Sequence, residues 1–234
     1  IKLFNPGRPD VRDYIVKVIM NVVDNYNIDG VHMDDYFYPY SIPGQRINDE
    51  QAFHAYGGGF TDIKDWRRNN VDLLIQTLSD SIHKHKPFMK FGIAPFGIWK
   101  NARQDPEGSE TQGGNSYYEL YADTRKWLQE GWIDYVAPQL YWSMGYRLAS
   151  FDKLIDWWSD NTYGRHLYVG QAPYRAFEPH SYAFHHATEL PNEIRYLRDN
   201  DRVQGSVFFS ANSLMKDPLG FTDSLRTDFY KYPA

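Results

Sequence analysis

Cysteine is absent from this sequence, which excludes disulfide bonds, thiolate metal ligands and a cysteine nucleophile. No apolar run approaches the roughly 18 residues of a transmembrane helix, so no membrane span is expected. Basic residues do not cluster and the formal net charge is −5, which argues against a surface for nucleic acid or for an anionic membrane. Repeats, low-complexity tracts and clear linkers are also lacking, so residues 1–234 are predicted to form a single domain.

The motifs that accompany common cofactors are missing as well. There is no GxGxxG fingerprint and no Walker loop, which argues against a bound nucleotide. There is no HExxH motif, and the pairs His83/His85 and His185/His186 are spaced so that two imidazoles cannot share one helical face. The sequence therefore predicts neither a cofactor nor a catalytic metal.

Aromatic residues are abundant instead. The chain has 7 Trp, 19 Tyr and 14 Phe, yet its mean hydropathy is −0.64, so many rings must have polar neighbours. Tyr and Trp beside polar side chains suit a saccharide, which offers both C–H faces and hydroxyls. An aromatic-rich core explains the same composition, and composition alone does not separate the two interpretations.

Five short apolar runs are typical of buried strands, and longer stretches with helical spacing alternate with them. The predicted strands are residues 30–33, 89–94, 134–139, 166–170 and 205–209. The predicted helices are residues 9–26, 66–84, 117–130, 152–160 and 191–200. Two polar stretches that contain glycine, residues 40–59 and 100–116, are predicted to be long loops.

This alternation of strand and helix predicts an α/β fold with a parallel sheet. Polar residues follow the end of each strand, which is where a TIM-type (β/α)8 barrel carries its chemistry. A doubly wound sheet is also parallel, but its ligands gather at one switch point, so the barrel is favoured. A complete barrel needs about 250 residues, and five strands already fill this chain. Either three strands precede Ile1 or the sheet is incomplete.

The strongest candidates for catalytic residues are Asp34-Asp35, two carboxylates at the end of the first predicted strand. Neighbouring side chains of a strand point to opposite faces, so both can serve one site only where the chain turns, as the nearby Pro39 indicates. Two carboxylates held close cannot both ionise freely, which supplies an acid and a base at neutral pH. A bare Asp-Asp pair is more often a loop cap or an ion-pair partner, but the position at a strand end favours catalysis.

Four motifs then occur in a characteristic order. They are Phe4-Asn5-Pro6-Gly7, Asp29-Gly30-Val31-His32-Met33-Asp34-Asp35-Tyr36-Phe37-Tyr38-Pro39, Phe91-Gly92-Ile93-Ala94-Pro95-Phe96-Gly97-Ile98-Trp99 and Asp134-Tyr135-Val136-Ala137-Pro138-Gln139-Leu140-Tyr141-Trp142. On these motifs the chain resembles the glycosyl-hydrolase-like 10 family from about residue 3 to 215. The resemblance implies a (β/α)8 barrel found in bacterial envelope proteins and lipoproteins, which hydrolyses peptidoglycan glycan strands, including strands stripped of their peptides. It makes the Asp34-Asp35 strand the fourth, so this chain is expected to supply strands four to eight and to lack the first three.

Two catalytic arrangements are compatible with this pair. In substrate-assisted hydrolysis, the 2-acetamido oxygen of an N-acetylhexosamine attacks the anomeric carbon, Asp34 polarises the acetamide, and Asp35 is the general acid/base. In an amylase-like retaining mechanism, Asp34 is the nucleophile and a separate acid is needed at the end of the next strand. That strand ends in Ala94-Pro95-Phe96 and offers no acid before Asp105, so substrate assistance is favoured.

Further residues are predicted to bind the glycan because they lie at or just beyond the ends of strands. They are His32, Tyr36, Tyr38, Trp99, Asn101, Gln139, Tyr141 and Trp142. His32 shares a strand face with Asp34, which predicts a hydrogen bond between the two. A packing role is the alternative for each of these side chains.

Two classes of function remain open, a glycoside hydrolase acting on an amino-sugar polymer and a non-catalytic saccharide-binding barrel fragment. The expected partner is a glycan.

An exposed edge of the sheet, where a third strand belongs, also favours pairing with a second copy of the chain. The resemblance implies an extracytoplasmic location in the cell envelope or periplasm, with the export signal outside this sequence.

Overall fold

The computed structural model describes residues 3–232 and contains one parallel sheet of five strands. The strands are β1 (Gly30–Met33), β2 (Lys90–Ile93), β3 (Tyr135–Val136), β4 (His166–Gln171) and β5 (Val203–Phe208). Each strand pairs with the next one along the chain. The predicted α/β class and all five predicted strands are therefore confirmed.

Helices precede, connect and follow the strands. They are α1 (Pro9–Asn25), α2 (Glu50–Tyr56), α3 (Ile63–His85), α4 (Ser116–Glu119), α5 (Thr124–Gln129), α6 (Phe151–Asp160), α7 (Glu189–Arg198), α8 (Ala211–Leu214) and α9 (Phe221–Ser224). Within residues 3–232, none of them combines the length and the apolarity that crossing a bilayer requires.

One face of the sheet is buried against these helices. Phe91, Leu167 and Val169 point to this face and are fully buried in the main core. The long helix α3 contributes buried side chains at helical spacing, Ile75 and Leu78 among them. Each such side chain stabilises the fold by about 1.5–3 kcal/mol through burial, which holds the strands and therefore their C-terminal ends in place.

The opposite face of the sheet is open. It carries His32, Tyr135 and Tyr168, which remain partly exposed. Among the described residues the strand order β1-β2-β3-β4-β5 never reverses, so the sheet has no topological switch point. The doubly wound alternative is therefore excluded for this part of the chain.

Two expectations about the connections are wrong. The predicted helix 117–130 is interrupted between α4 and α5, because Tyr121 adopts a left-handed conformation with φ of 55° and Asp123 then caps a new helix through the Lys126 amide. The predicted loop 40–59 contains α2, whose short apolar pattern is too weak to stand out from a polar stretch. The residues before α2, and residues 57–59 after it, remain irregular there.

Candidate active site

Asp34 and Asp35 directly follow β1, where the chain turns. The amide of Phe37 donates to the carbonyl of Asp35 over 2.8 Å, and the amide of Asp35 donates to Asp34 Oδ1 over 2.9 Å. The turn brings both carboxylates to the C-terminal edge of the sheet, as the sequence requires if they share a site. Their environments differ, because Asp34 is exposed while Asp35 is only 1% exposed.

The buried carboxyl of Asp35 is poised to hold a proton near neutral pH. Burial raises the pKa of Asp35 to about 6, and the neighbouring charge of Asp34 also raises it. The hydroxyl of Tyr40 donates to Asp35 Oδ2, which favours the ionised form and partly opposes the rise of the pKa. A carboxyl with such a pKa can donate a proton at pH 6 and accept it back later in the reaction.

Asp34 is held in place by two hydrogen bonds to a single oxygen. Besides the Asp35 amide, the side-chain amide of Gln139 donates to Asp34 Oδ1 over 2.7 Å. Gln139 is itself anchored, because it also donates to the carbonyl of Ala94 just beyond β2 over 3.0 Å. Within residues 3–232, Asp34 Oδ2 accepts no hydrogen bond, so this oxygen is available to a ligand.

Aromatic rings extend from the two carboxylates across the ends of β1, β2 and β3. Tyr36 and Tyr40 meet edge to face with centroids 5.9 Å apart. Tyr40 contacts Phe96 at 6.2 Å, and Phe96 contacts Trp142 at 5.5 Å. Of the predicted glycan-binding residues, Tyr36 and Trp142 therefore belong to one continuous aromatic row, next to Asp35.

A second aromatic group lies over the ends of β4 and β5. Tyr141 contacts Tyr174 and Phe209, each at 6.0 Å between centroids. Burial raises the pKa of Tyr141, and after Tyr174 the charges of Asp34 and Asp35 raise it further. The phenol of Tyr141 therefore stays protonated and able to donate a hydrogen bond.

His32 lies close to Asp34 but binds elsewhere. Its Nδ1 is 2.9 Å from the hydroxyl of Tyr135 two strands away, and the two rings stack at 5.8 Å. Gly92 lies between them in the sheet register and leaves the space, since a Cβ there would lie 2.2 Å from the Tyr135 ring. Burial lowers the pKa of His32 against the opposing effect of Asp34, so its imidazole is neutral at pH 7.

Three of the predicted glycan-binding residues are buried away from the aspartates. Tyr38 is only 2% exposed and packs edge to face on Tyr121. Trp99 is 4% exposed, its indole N–H donates to Asp123 over 2.8 Å, and its ring stacks on Trp157.

Asn101 is fully buried and organises the loop that follows β2. Its side chain donates to Gln104 and to the carbonyl of Gly113, and accepts from Thr111. In this structure Tyr38, Trp99 and Asn101 therefore form core and loop contacts, the packing role that is the alternative for each of them, and their binding of glycan stays a prediction. Strand-end position alone does not reveal which side chain turns inward.

Sequence reasoning missed four aromatic residues at this edge of the sheet: Tyr40, Phe96, Tyr174 and Phe209. Tyr40 continues the alternation of Tyr36 and Tyr38, and this signal could have revealed it. The others depend on how distant strand ends meet, which one sequence does not encode locally. Among the described residues, no group of three or more His, Asp or Glu side chains is placed to hold a metal ion.

Comparison with known proteins identifies relatives of this chain. A family model described as "Glycosyl hydrolase-like 10" matches residues 2–186. A protein named "Glycosyl hydrolase YngK" from Bacillus subtilis is 49% identical over 99% of this chain and 46% of its own length. One named "Glycosyl hydrolase DigH" from Escherichia coli is 45% identical over 76% of this chain and 40% of its own length.

The chain thus spans less than half the length of these curated relatives. Among solved structures, a Bacteroides uniformis beta-glucuronidase 2 aligns with 64% of this chain and 17% of its own, at 13% identity and a TM-score of 0.37. That similarity is too low to support a conclusion about fold or function.

Proposed function

The chain belongs to the glycosyl hydrolase-like 10 family, as its motifs predicted, and we propose that Asp34 and Asp35 hydrolyse glycosidic bonds of an amino-sugar polymer. The observation that carries the proposal is the contrast between the two neighbours. Asp35 is a buried carboxyl with a pKa of about 6, while Asp34 is exposed and oriented by Gln139. Two carboxyls in unlike environments supply the two roles that glycoside hydrolysis needs.

The mechanism that we propose is substrate-assisted. Asp35 donates its proton to the glycosidic oxygen while that oxygen leaves with the bonding electrons. The acetamido oxygen of the substrate attacks the anomeric carbon, and Asp34 Oδ2 accepts a hydrogen bond from the acetamido N–H and stabilises the positive charge. Asp35, now a carboxylate, then removes a proton from the water that opens the cyclic intermediate, which restores both groups.

Two features support this mechanism over the amylase-like alternative. Asp34 Oδ1 accepts hydrogen bonds from the Asp35 amide and from Gln139, and these bonds fix the orientation of the carboxylate. The other oxygen, Oδ2, is therefore held in a defined position in which it can accept a hydrogen bond from a ligand. The chain beyond β2 presents the apolar ring of Phe96 rather than an acid. The alternative, with Asp34 as nucleophile, predicts a covalent glycosyl-Asp34 intermediate.

We also propose that the sheet is part of a TIM-type (β/α)8 barrel. The unreversed strand order, the single buried face and the site at the C-terminal edge are what five consecutive strands of such a barrel would have. The open edge of β1 is where an additional strand would pair, from the same protein or, failing that, from a second copy of the chain.

Peptidoglycan glycan, which lies outside the cytoplasmic membrane, is the substrate that we propose, and it requires an envelope location.

The acetamido group gives a direct test. The full-length protein is supplied with peptide-free peptidoglycan glycan and with N-acetylglucosamine oligomers, and each is compared with a matched polymer that carries a hydroxyl at C2. We expect cleavage of the acetamido substrates only. Equal cleavage of the hydroxyl polymer would exclude substrate assistance, and trapping of a sugar on Asp34 would establish the amylase-like alternative. Binding without any cleavage would indicate a saccharide-binding protein.

A further inference from the structure

A cavity of about 410 Å³ lies beside the catalytic pair, between the chain that follows β1 and the helices α3 and α4. Its volume falls within the range of small-molecule and cofactor sites. Tyr40 and Arg46 line it from the chain that follows β1, Lys64 from α3, and Tyr118 and Glu119 from α4. None of the residues assigned so far to the glycan site, apart from Tyr40, takes part in this cavity.

Tyr40 connects the cavity to the acid. Its ring forms part of the cavity wall, while its hydroxyl donates to Asp35 Oδ2. Its other aromatic neighbours, Tyr36 and Phe96, belong to the row along the strand ends. A chain-like ligand that crosses Asp35 can therefore continue over Tyr40 into the cavity without leaving the aromatic surface.

The charged groups of the cavity are of both signs and are free to bind a ligand. Arg46, Lys64, Glu50 and Glu119 line it and are exposed, and none of them forms an ion pair with any residue between 3 and 232. Arg67 also lines the cavity but is different, since its guanidinium is bound to other side chains of the protein. Arg67 is thus part of the cavity wall, and its guanidinium is held in place by the protein.

Two cationic donors and two anionic acceptors around one cavity match the chemistry of a neutral sugar. Each sugar hydroxyl both donates and accepts, so it can bind Lys64 and Glu119 alike. The charges of opposite sign balance, so the cavity favours neither a strongly acidic nor a strongly cationic ligand. Tyr118, which is 38% exposed, adds an aromatic surface for the C–H face of a ring.

We infer that this cavity is a remote glycan subsite, which binds neutral sugar units of the same polymer beyond the scissile bond. The inference rests on the proposed function, because it assigns the cavity to the substrate that Asp35 cleaves. Such a subsite makes catalysis depend on chain length. Long glycans reach it, whereas a disaccharide that occupies the position of cleavage does not.

The test compares short and long substrates in the full-length protein. Arg46→Ala and Lys64→Ala remove one cation each from exposed positions, and Lys17→Ala, on exposed α1, is the matched control. With N-acetylglucosamine hexamer we expect the KM of each cavity variant to rise about tenfold, the loss of one hydrogen bond to a charged group. With the dimer we expect kcat and KM to match the wild type, and Lys17→Ala to be unchanged on both.

Binding separates failure of the subsite from failure of the proposed function. The hexamer is titrated into Asp35→Asn protein, with and without Lys64→Ala, so that no turnover is needed. A dissociation constant that rises about tenfold with Lys64→Ala supports the subsite, even if the wild type hydrolyses nothing. Equal dissociation constants, or cavity variants that lose dimer and hexamer cleavage alike, would overturn it.

Discussion

Burial of the Asp35 carboxyl has a cost in stability that can be measured. In an unfolded chain an aspartate titrates near a pKa of about 3.9, whereas the folded protein raises the pKa of Asp35 to about 6. Below pH 3.9 Asp35 is protonated in the folded and in the unfolded protein, so the difference between its two pKa values does not affect the stability. Between pH 3.9 and 6 the unfolded state loses the proton first, so the free energy of unfolding falls as the pH rises. Above pH 6 the full penalty is present.

Replacing Asp35 by Asn removes this penalty and keeps an oxygen for the Tyr40 hydroxyl. A difference of about two pKa units corresponds to about 3 kcal/mol, and this difference already contains the opposing effect of the Tyr40 hydrogen bond. We therefore expect Asp35→Asn to raise the free energy of unfolding by about 3 kcal/mol at pH 7.5 and to leave it unchanged at pH 3.5.

Urea unfolding followed by tryptophan fluorescence measures this difference at several pH values. Asp80→Asn, at an exposed position on α3, corrects for the loss of one negative charge from a chain of net charge −5. A gain that does not depend on pH, or an Asp35→Asn protein less stable than the wild type at pH 7.5, would refute the argument from burial.

Three further outcomes follow from the same contacts. Tyr40→Phe removes the hydrogen bond that favours ionised Asp35, so the alkaline limb of the pH–rate profile should move to higher pH, and an unmoved limb would show that the bond does not act on the acid. Gly92→Ala places a methyl against the ring of Tyr135 and should lower the free energy of unfolding by about 1–3 kcal/mol in urea titration; an unchanged midpoint would contradict this. Gln139→Ala frees the carboxylate that it orients and should lower kcat about tenfold, the loss of one hydrogen bond to a charged group, with little change in KM; a change in KM alone would assign it to binding.

Much of the fold could be predicted because its signals are local. Short apolar runs mark strands that are buried on one side, and the spacing of Val71, Ile75 and Leu78 marks α3. The break between α4 and α5 could not be predicted, since it depends on the left-handed backbone of Tyr121, a residue type with no preference for that conformation. The helix α2 is too short for its periodicity to be distinctive.

The candidate site could also be predicted only in part. Two adjacent aspartates at a strand end are visible in the sequence, and the structure places Gln139, predicted from its alternation past β3, on one of them. Whether Tyr38 or Tyr40 turns toward the acid depends on the path of the chain after β1, and the sequence does not specify that path. Trp99 resembles a sugar platform by position, but the carboxylate of Asp123 lies near enough to bind its indole inside the protein.

The most direct test of the central claim is the rate at which Asp35→Asn protein cleaves peptide-free glycan, measured beside the wild type from pH 4 to 9. General acid catalysis contributes about 10²–10⁴-fold, so we expect the variant to lose activity in that range. The wild-type kcat/KM should decline above a pH of about 6, where Asp35 gives up its proton. An Asp35→Asn protein as active as the wild type, with the same pH profile, would contradict the assignment of Asp35 as the acid.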